Sequence, residues 1–232
     1  MTQRPSSTDS FIRHFDLELA ELRRSLVTMG NLVERSTEIA TNAILQPEVD
    51  SRDKARVIED QLDTLESAIE DRCHQLIALQ SPLAGDLRLV IAAMRITTDL
   101  EQVGDNAESV AKRASWIARH ERIENPTQLA ELCKLVRTMI RQSLESFLSG
   151  SSDAAKSVII DEDQADDLTK ECYEAIQAAM AARPTRIREY THLLRAVAHL
   201  ENMADIAVSI AEEGVYIHQG RLIRHSHDAL ST

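Results

Sequence analysis

An internal repeat of about 100 residues limits the possible folds of this chain more than any other feature of its sequence. Residues 99–111 and 199–211 are identical at six of thirteen aligned positions, and most of the other pairs are conservative. A second match joins residues 59–65 to residues 162–168, at an offset of 103. The two matches come in the same order in both halves. The sequence therefore predicts two copies of one structural unit in tandem.

Each copy has the pattern of three long helices. Proline, glycine and serine residues separate the segments, and the first three segments cover residues 10–46, 50–80 and 86–120. The fourth ends at 148, the fifth at 183, and the sixth covers 184–219. With 6 Gly and 5 Pro, the chain has too few turn residues for a β-sandwich or barrel. We therefore predict an all-α protein of two tandem, pseudo-symmetric, antiparallel three-helix bundles, at residues 1–122 and 123–232.

The third and sixth segments each carry an apolar seam with alternating spacings of three and four residues, which is typical of helices packed in bundles. The first seam is Val90, Ala93, Thr97, Leu100, Gly104, Ala107, Ala111 and Ala114. The second is Val197, Leu200, Ala204, Ala207, Ala211 and Gly214. Both are rich in small residues, so we expect close approach of neighbouring backbones. We also expect Asn125 to cap a fourth helix that begins at Pro126.

The charge of the chain restricts its partners. The formal net charge is −12, which disfavours binding to nucleic acid and adsorption on anionic lipid but suits cations and basic protein surfaces. The longest apolar run is six residues, at 89–94, so membrane insertion is not expected. No apolar signal segment is visible near Met1. The chain has three scattered cysteines and no CxxC motif. The cysteine pattern and the missing signal segment favour a protein of the reducing cytoplasm.

Acidic pairs are what the two copies preserve. All the Glu-x-x-x-Asp spacings of the chain lie at repeat-equivalent positions, namely Glu59/Asp63, Glu101/Asp105, Glu162/Asp166 and Glu201/Asp205. Residues four apart share a helix face, where like charges repel, so a compensating cation is expected. Carboxylate oxygens suit iron, manganese and magnesium. The pairs are candidate metal ligands, and the alternative is a duplicated acidic surface stripe without metal.

A ferritin-like metalloenzyme is a weaker hypothesis. Such a site needs two Glu-x-x-His pairs, plus a glutamate from each of two other helices. Glu189/His192 has this spacing and Asp71/His74 resembles it, but the two are not equivalent in the repeat. No phosphate-binding loop or nucleophile elbow is present in the sequence.

Beyond these patterns, the sequence resembles the PhoU family of phosphate-signalling proteins. The residues that carry the resemblance are 83–88 (LAGDLR), 99–105 (DLEQVGD), 200–205 (LENMAD), 210–216 (IAEEGVY), Gly220 and Arg224-His225. The resemblance extends over nearly the whole chain. It implies two three-helix bundles that bind clusters of iron or another metal through E(D)xxxD motifs. The metal ions expected are iron, zinc, manganese or magnesium.

Family membership would also imply a function. The resemblance implies a non-enzymatic, cytoplasmic repressor of phosphate uptake and of the phosphate-starvation response. Such a protein acts between the phosphate ABC transporter, through its ATPase subunit, and a membrane sensor histidine kinase, and commonly forms a homodimer. The family motif falls on Glu101/Asp105 and Glu201/Asp205, and less distinctively on Glu59/Asp63 and Glu162/Asp166. Gln102 and Asn202 stand where the family usually has arginine, which changes the surroundings of the ligands but not the ligands themselves.

Overall fold

The computed structural model describes residues 7–80, 82, 84–120 and 122–219. Within these ranges the chain forms six α-helices and no strand, as predicted. The helices are α1 (Ser7–Leu45), α2 (Ser51–Gln80), α3 (Ala84–Ala118), α4 (Leu129–Ser149), α5 (Ser152–Ala182) and α6 (Ile187–Gln219). A 3₁₀ turn, Pro184–Arg186, leads into α6.

The helices pack as two three-helix bundles. Helices α1, α2 and α3 contact one another, and so do α4, α5 and α6. The bundles join where α3 packs on α6 and α1 packs on α4. The prediction of two pseudo-symmetric bundles is therefore confirmed.

Both small-residue seams are buried, as the spacing predicted. Their glycines lie where neighbours come closest. A Cβ added at Gly214 would lie 2.9 Å from the Phe147 backbone nitrogen, so α6 approaches the main chain of α4 there. A Cβ at Gly104 would collide with Leu62, which brings α3 close to α2 beside the acidic pairs.

The prediction for the start of the fourth helix is wrong. Helix α4 begins at Leu129, after the N-cap residue Gln128. The Asn125 side chain instead donates a hydrogen bond to the backbone carbonyl of Ile44 at 3.2 Å, so it satisfies the C-terminus of α1. Of the residues that carried the resemblance, Leu83, Gly220 and Arg224-His225 lie outside the described residues.

Helices α3 and α6 run antiparallel, and side-chain pairs mark their contact. Arg95 donates to Glu213 at 2.8 Å, and Ser209 donates to Asp99 at 3.2 Å. Farther along, the Trp116 ring stacks on the His192 ring with centroids 3.8 Å apart. This contact joins the bundles through polar as well as apolar groups.

Candidate metal centre

The four acidic pairs occupy equivalent places in the two bundles. In the first bundle they lie on α2 and α3, and in the second on α5 and α6. In every pair the glutamate is half-buried and the aspartate is exposed. The repeat therefore preserves the placement of these side chains as well as their spacing.

In the first bundle the carboxylates of α2 and α3 interact across the helix contact. Burial raises the pKa of Glu101 to about 7, with smaller contributions from Asp105, Glu66 and Asp63. Burial and then Asp63 raise the pKa of Asp105. Burial, Asp63 and Asp105 also raise the pKa of Glu59. The helix contact thus brings the two predicted pairs into one group of mutually repelling carboxylates.

Glu66 extends this group, and the sequence pattern missed it. Burial raises its pKa, followed by the charges of Glu70, Asp63 and Asp105. Glu66 is half-buried on α2, close to one turn after Asp63. Its equivalent in the second bundle is Thr169, so a search for preserved acidic residues could not find it. The first-bundle acidic group is therefore Glu59, Asp63, Glu66, Glu101 and Asp105.

The second bundle has a less acidic arrangement. Burial raises the pKa of Asp205, followed by the charges of Glu201 and Asp166. The Tyr173 hydroxyl donates a hydrogen bond to Glu201 Oε2 at 2.9 Å. Burial and this bond raise the pKa of Tyr173, so its hydroxyl keeps its proton. The residue equivalent to Tyr173 in the first bundle is Glu70. The second bundle thus has a hydrogen-bond donor where the first bundle has a carboxylate.

The donor chemistry of the first-bundle group fits a hard cation. All its oxygens are carboxylate oxygens, and a bound cation would offset the repulsion between them. Among the described residues, however, no three His, Cys, Asp or Glu side chains are placed as a group that could hold a metal ion. Coordination by these residues would therefore require changes of side-chain rotamer.

Two histidines of α6, His192 and His199, contact residues other than the acidic pairs. The His192 ring packs on Trp116, while Glu189 accepts a hydrogen bond from Arg186 at 3.4 Å. His199 Nδ1 lies 2.8 Å from Asn106 Oδ1 at the α3–α6 contact. His192, the histidine of the Glu-x-x-His spacing, and His199 are thus both engaged in other contacts.

The thiols are placed as structural cysteines. Cys73, Cys133 and Cys172 are all free and buried. Burial raises the pKa of Cys73 and of Cys172 to about 11, and that of Cys133 to about 12. Thiols with such pKa values stay protonated near neutral pH and are poor metal ligands or nucleophiles.

One known protein family matches the sequence of both bundles. The PhoU domain profile matches residues 26–114 and again residues 129–214, one match in each bundle. The chain belongs to the PhoU family. Its two family domains cover the helices that carry all four acidic pairs.

Curated PhoU-family relatives align along most of the chain. A "phosphate-specific transport system accessory protein PhoU homolog" of Aquifex aeolicus is 31% identical over 210 residues, which are 90% of this chain and 95% of that protein. The homolog of Pseudomonas aeruginosa is 31% identical over 228 residues, covering 97% of this chain and 93% of its own.

Solved PhoU structures share the architecture. The crystal structure of PhoU from Pseudomonas aeruginosa has a TM-score of 0.85 at 30% identity and covers 89% of this chain and all of its own. PhoU from Streptococcus pneumoniae has a TM-score of 0.81 at 30% identity, with 90% of this chain covered and 99% of its own. Across the described residues, no helix of this PhoU-family chain combines the length and apolarity needed to span a bilayer.

Proposed function

We propose that this PhoU-family protein is a negative regulator of phosphate uptake and of the phosphate-starvation response, and that it is not an enzyme. The observation that carries the proposal is the match of both bundles to the PhoU domain. Its relatives, named as accessory proteins of a phosphate-specific transport system, align along at least 90% of the chain. Among the described residues, His192 packs on Trp116 and His199 contacts Asn106, which fits a binding role of the acidic pairs better than ferritin-like catalysis.

The proposed partners are the ATPase subunit of the phosphate ABC transporter and a sensor histidine kinase. The protein works in the cytoplasm as a homodimer in this proposal. Its net charge of −12 suits docking on basic surfaces of partner proteins. This charge also steers association at low ionic strength, so binding should weaken as salt rises.

Metal ions form part of the proposal. In the first bundle Glu59, Asp63, Glu101 and Asp105 would hold the ions, and Glu162, Asp166, Glu201 and Asp205 are the equivalent set in the second. Iron, zinc, manganese or magnesium would supply positive charge that offsets the repulsion between the carboxylates. Glu101 supports this assignment, because burial raises the pKa of this half-buried carboxyl to about 7, so that a cation would compete with its proton near neutral pH.

A metal-free acidic docking surface is the second candidate. It is favoured by the lack, among the described side chains, of a group placed to hold a metal. The two candidates differ in their response to chelation. Partner binding that persists in chelator and falls with salt supports the metal-free surface, whereas binding lost in chelator and restored by metal supports the metal site.

The proposed regulation is tested by deleting the gene in its host and measuring a phosphate-starvation promoter in high phosphate. The deletion strain is complemented with wild type or with Glu101, Asp105, Glu201 and Asp205 all changed to alanine. We expect constitutive promoter activity in the deletion strain and repression only by wild type. A control variant, Glu34→Ala with Glu38→Ala, removes an acidic pair at the same spacing that the repeat does not preserve. It should repress like wild type.

The other outcomes separate the parts of the proposal. Repression by both wild type and the quadruple variant would keep the regulator and remove the acidic pairs from its mechanism. A promoter that stays silent in the deletion strain, with no second PhoU-family gene in that host, would contradict the regulatory function itself.

A further inference from the structure

A cluster of arginine and histidine side chains lies at the α3–α6 contact, although the chain as a whole is strongly acidic. We define the α3–α6 cationic cluster by its residues: Arg113 on α3, His120 just after the end of α3, and Arg188, His192 and Arg195 on α6. Burial lowers the pKa of His192, and the positive charges of Arg113, Arg195, His120 and Arg188 lower it further. Burial and Arg195 lower the pKa of Arg113. These groups therefore face one another closely enough to repel.

The internal repeat shows how this cluster differs from its equivalent at the other end of the contact. The repeat relates Arg95 to Arg195 and Glu213 to Arg113. At one end of the contact, Arg95 and Glu213 form an ion pair at 2.8 Å. At the equivalent place at the other end, Arg195 faces Arg113 in place of a glutamate. The two equivalent places therefore differ in one residue: a glutamate stands opposite the arginine at one end and a second arginine at the other.

No acidic side chain of the described chain takes over that role. The negative charge of Glu108 offsets part of the lowering of the Arg113 pKa, but its carboxylate already accepts a hydrogen bond from Arg52 at 3.0 Å. The nearby Glu189 accepts from Arg186. Within the described residues Arg113, Arg188 and Arg195 form no ion pair.

Two buried nitrogen atoms of the cluster also lack partners. Arg113 Nε and His192 Nδ1 are both shielded from solvent, and neither has a hydrogen-bond partner among the described residues. A buried polar atom without a partner costs about 1–3 kcal/mol, so such atoms are rare unless a ligand or water satisfies them. Arg113 Nε always carries a hydrogen, and His192 Nδ1 carries one in one of the two neutral tautomers, so the pair can donate to one acceptor.

We propose that the α3–α6 cationic cluster binds a small oxyanion with two negative charges, of which inorganic phosphate is the simplest. Arg113, His192 and Arg195 would contact the anion, and Arg188 would add positive charge at the entrance. Arg188 and Arg195 are exposed while Arg113 and His192 are half-buried, so an anion can enter from solvent. The site is separate from the acidic pairs and does not depend on metal.

The geometry limits the ligand to a small one. The indole ring of Trp116 is already stacked against two histidine rings, His120 and His192, at centroid distances of 3.7 and 3.8 Å. A nucleobase therefore has no open ring on which to stack. Recognition is left to charge and to guanidinium donors, which match the oxygens of a tetrahedral oxyanion.

Trp116 provides a direct test because it is the only tryptophan of the chain. The metal-free full chain is titrated with inorganic phosphate, glycerol 3-phosphate, sulfate or chloride at constant ionic strength. Tryptophan fluorescence and calorimetry are followed together. We expect a saturable response to phosphate or glycerol 3-phosphate at one anion per chain, and the tighter of the two identifies the form of the ligand. A response that does not saturate, or that chloride reproduces, overturns the proposal.

Substitutions locate the binding. Arg113→Glu recreates the Arg95–Glu213 arrangement beside Arg195, so the chain supplies its own anion, and phosphate affinity should fall at least about tenfold. Arg195→Gln, at an exposed position, should also lose about tenfold. Arg24→Glu makes the same change of net charge on the exposed face of α1 and should stay within about twofold of wild type.

Thermal unfolding provides a separate readout. Phosphate should raise the melting temperature of wild type and of Arg24→Glu, since a ligand that binds only the folded chain stabilises it. It should not raise that of Arg113→Glu, which is expected to be the more stable protein without phosphate. Equal stabilisation of all variants by phosphate would overturn the assignment to this cluster.

Discussion

Arg95 of α3 donates a hydrogen bond to Glu213 of α6 at 2.8 Å, and this ion pair links the two bundles of the chain. The Glu213 side chain is only 6% exposed, whereas Arg95 is 47% exposed. A carboxylate so deeply buried depends on its cation, because an uncompensated charge is costly in a protein interior. This partly buried ion pair is therefore one of the contacts that hold the two bundles together.

Removing the arginine of this pair should destabilise the chain. We expect Arg95→Ala to lower the free energy of unfolding by about 2 kcal/mol, below the full cost of a buried pair because the arginine is half exposed. Urea denaturation measures the change. The control is Arg137→Ala, which breaks the exposed pair with Glu38 and should cost less than about 0.5 kcal/mol. Equal effects of the two substitutions would contradict the role assigned to Glu213.

Close backbone approach predicts a large cost for one glycine. In Gly214→Ala the new Cβ would lie 2.9 Å from the backbone nitrogen and 3.0 Å from the Cα of Phe147, and a main chain cannot move aside cheaply. We expect a loss of about 2–3 kcal/mol in thermal or urea unfolding. Gly85→Ala is the matched control, since Gly85 is exposed in the first turn of α3 and alanine is the better helix former. It should be neutral or slightly stabilising.

The first-bundle acidic group predicts a pH dependence of stability. Because the pKa of Glu101 is about 7 in the folded chain against an ordinary 4.5, the folded chain holds a proton that the unfolded chain releases. The stabilisation from this group is complete below about pH 4.5 and is lost as pH rises through about 7. In chelator, Glu101→Gln should reduce this loss and raise stability at alkaline pH by about 0.5 kcal/mol.

Urea denaturation across the acidic to alkaline range measures this dependence. Glu34→Gln is the control, because it relieves the exposed Glu34/Glu38 pair, which lies outside the acidic groups. That variant should keep the pH profile of wild type. A wild-type profile that rises between pH 5 and pH 8, or one that Glu101→Gln leaves unchanged, would show that Glu101 does not carry the shift.

Tyr173 predicts a difference between the two bundles. Tyr173→Phe removes the hydroxyl that donates to Glu201, so we expect a loss of about 1 kcal/mol in stability. The same change frees a carboxylate oxygen for a cation. In a chain that also carries Glu101→Ala and Asp105→Ala, Tyr173→Phe should tighten Mn²⁺ binding severalfold in calorimetry. The control is Tyr216→Phe, which removes a hydroxyl about four turns after Glu201 on α6 and should leave Mn²⁺ binding unchanged.

The sequence was sufficient for the parts of the fold that depend on periodicity. The spacing of Leu100, Gly104 and Ala107 predicted a buried seam, and all three are buried. The start of α4 was not predictable, because Asn125 hydrogen-bonds the end of α1, about 80 residues away in sequence. A local cap pattern cannot show whether the side chain will cap the next helix in sequence or bond to the end of an earlier helix that packs beside it.

The candidate site was predictable only in part, for a related reason. The preserved pairs identified Glu101 and Asp105, but Glu66 and Tyr173 differ between the copies and so escaped a search for shared residues. The α3–α6 cationic cluster depends on which faces of two distant helices meet. Periodicity places Arg113 and Arg195 on their own helices, and only the antiparallel packing of those helices brings them together.

The proposed role is tested most directly by the rate of radiolabelled phosphate uptake into phosphate-replete cells. The deletion strain is compared after complementation with wild type or with the variant that lacks Glu101, Asp105, Glu201 and Asp205. We predict that deletion raises uptake, that wild type lowers it again, and that the variant, present at the same level and folded, does not. Uptake that is the same with and without the gene would contradict the account.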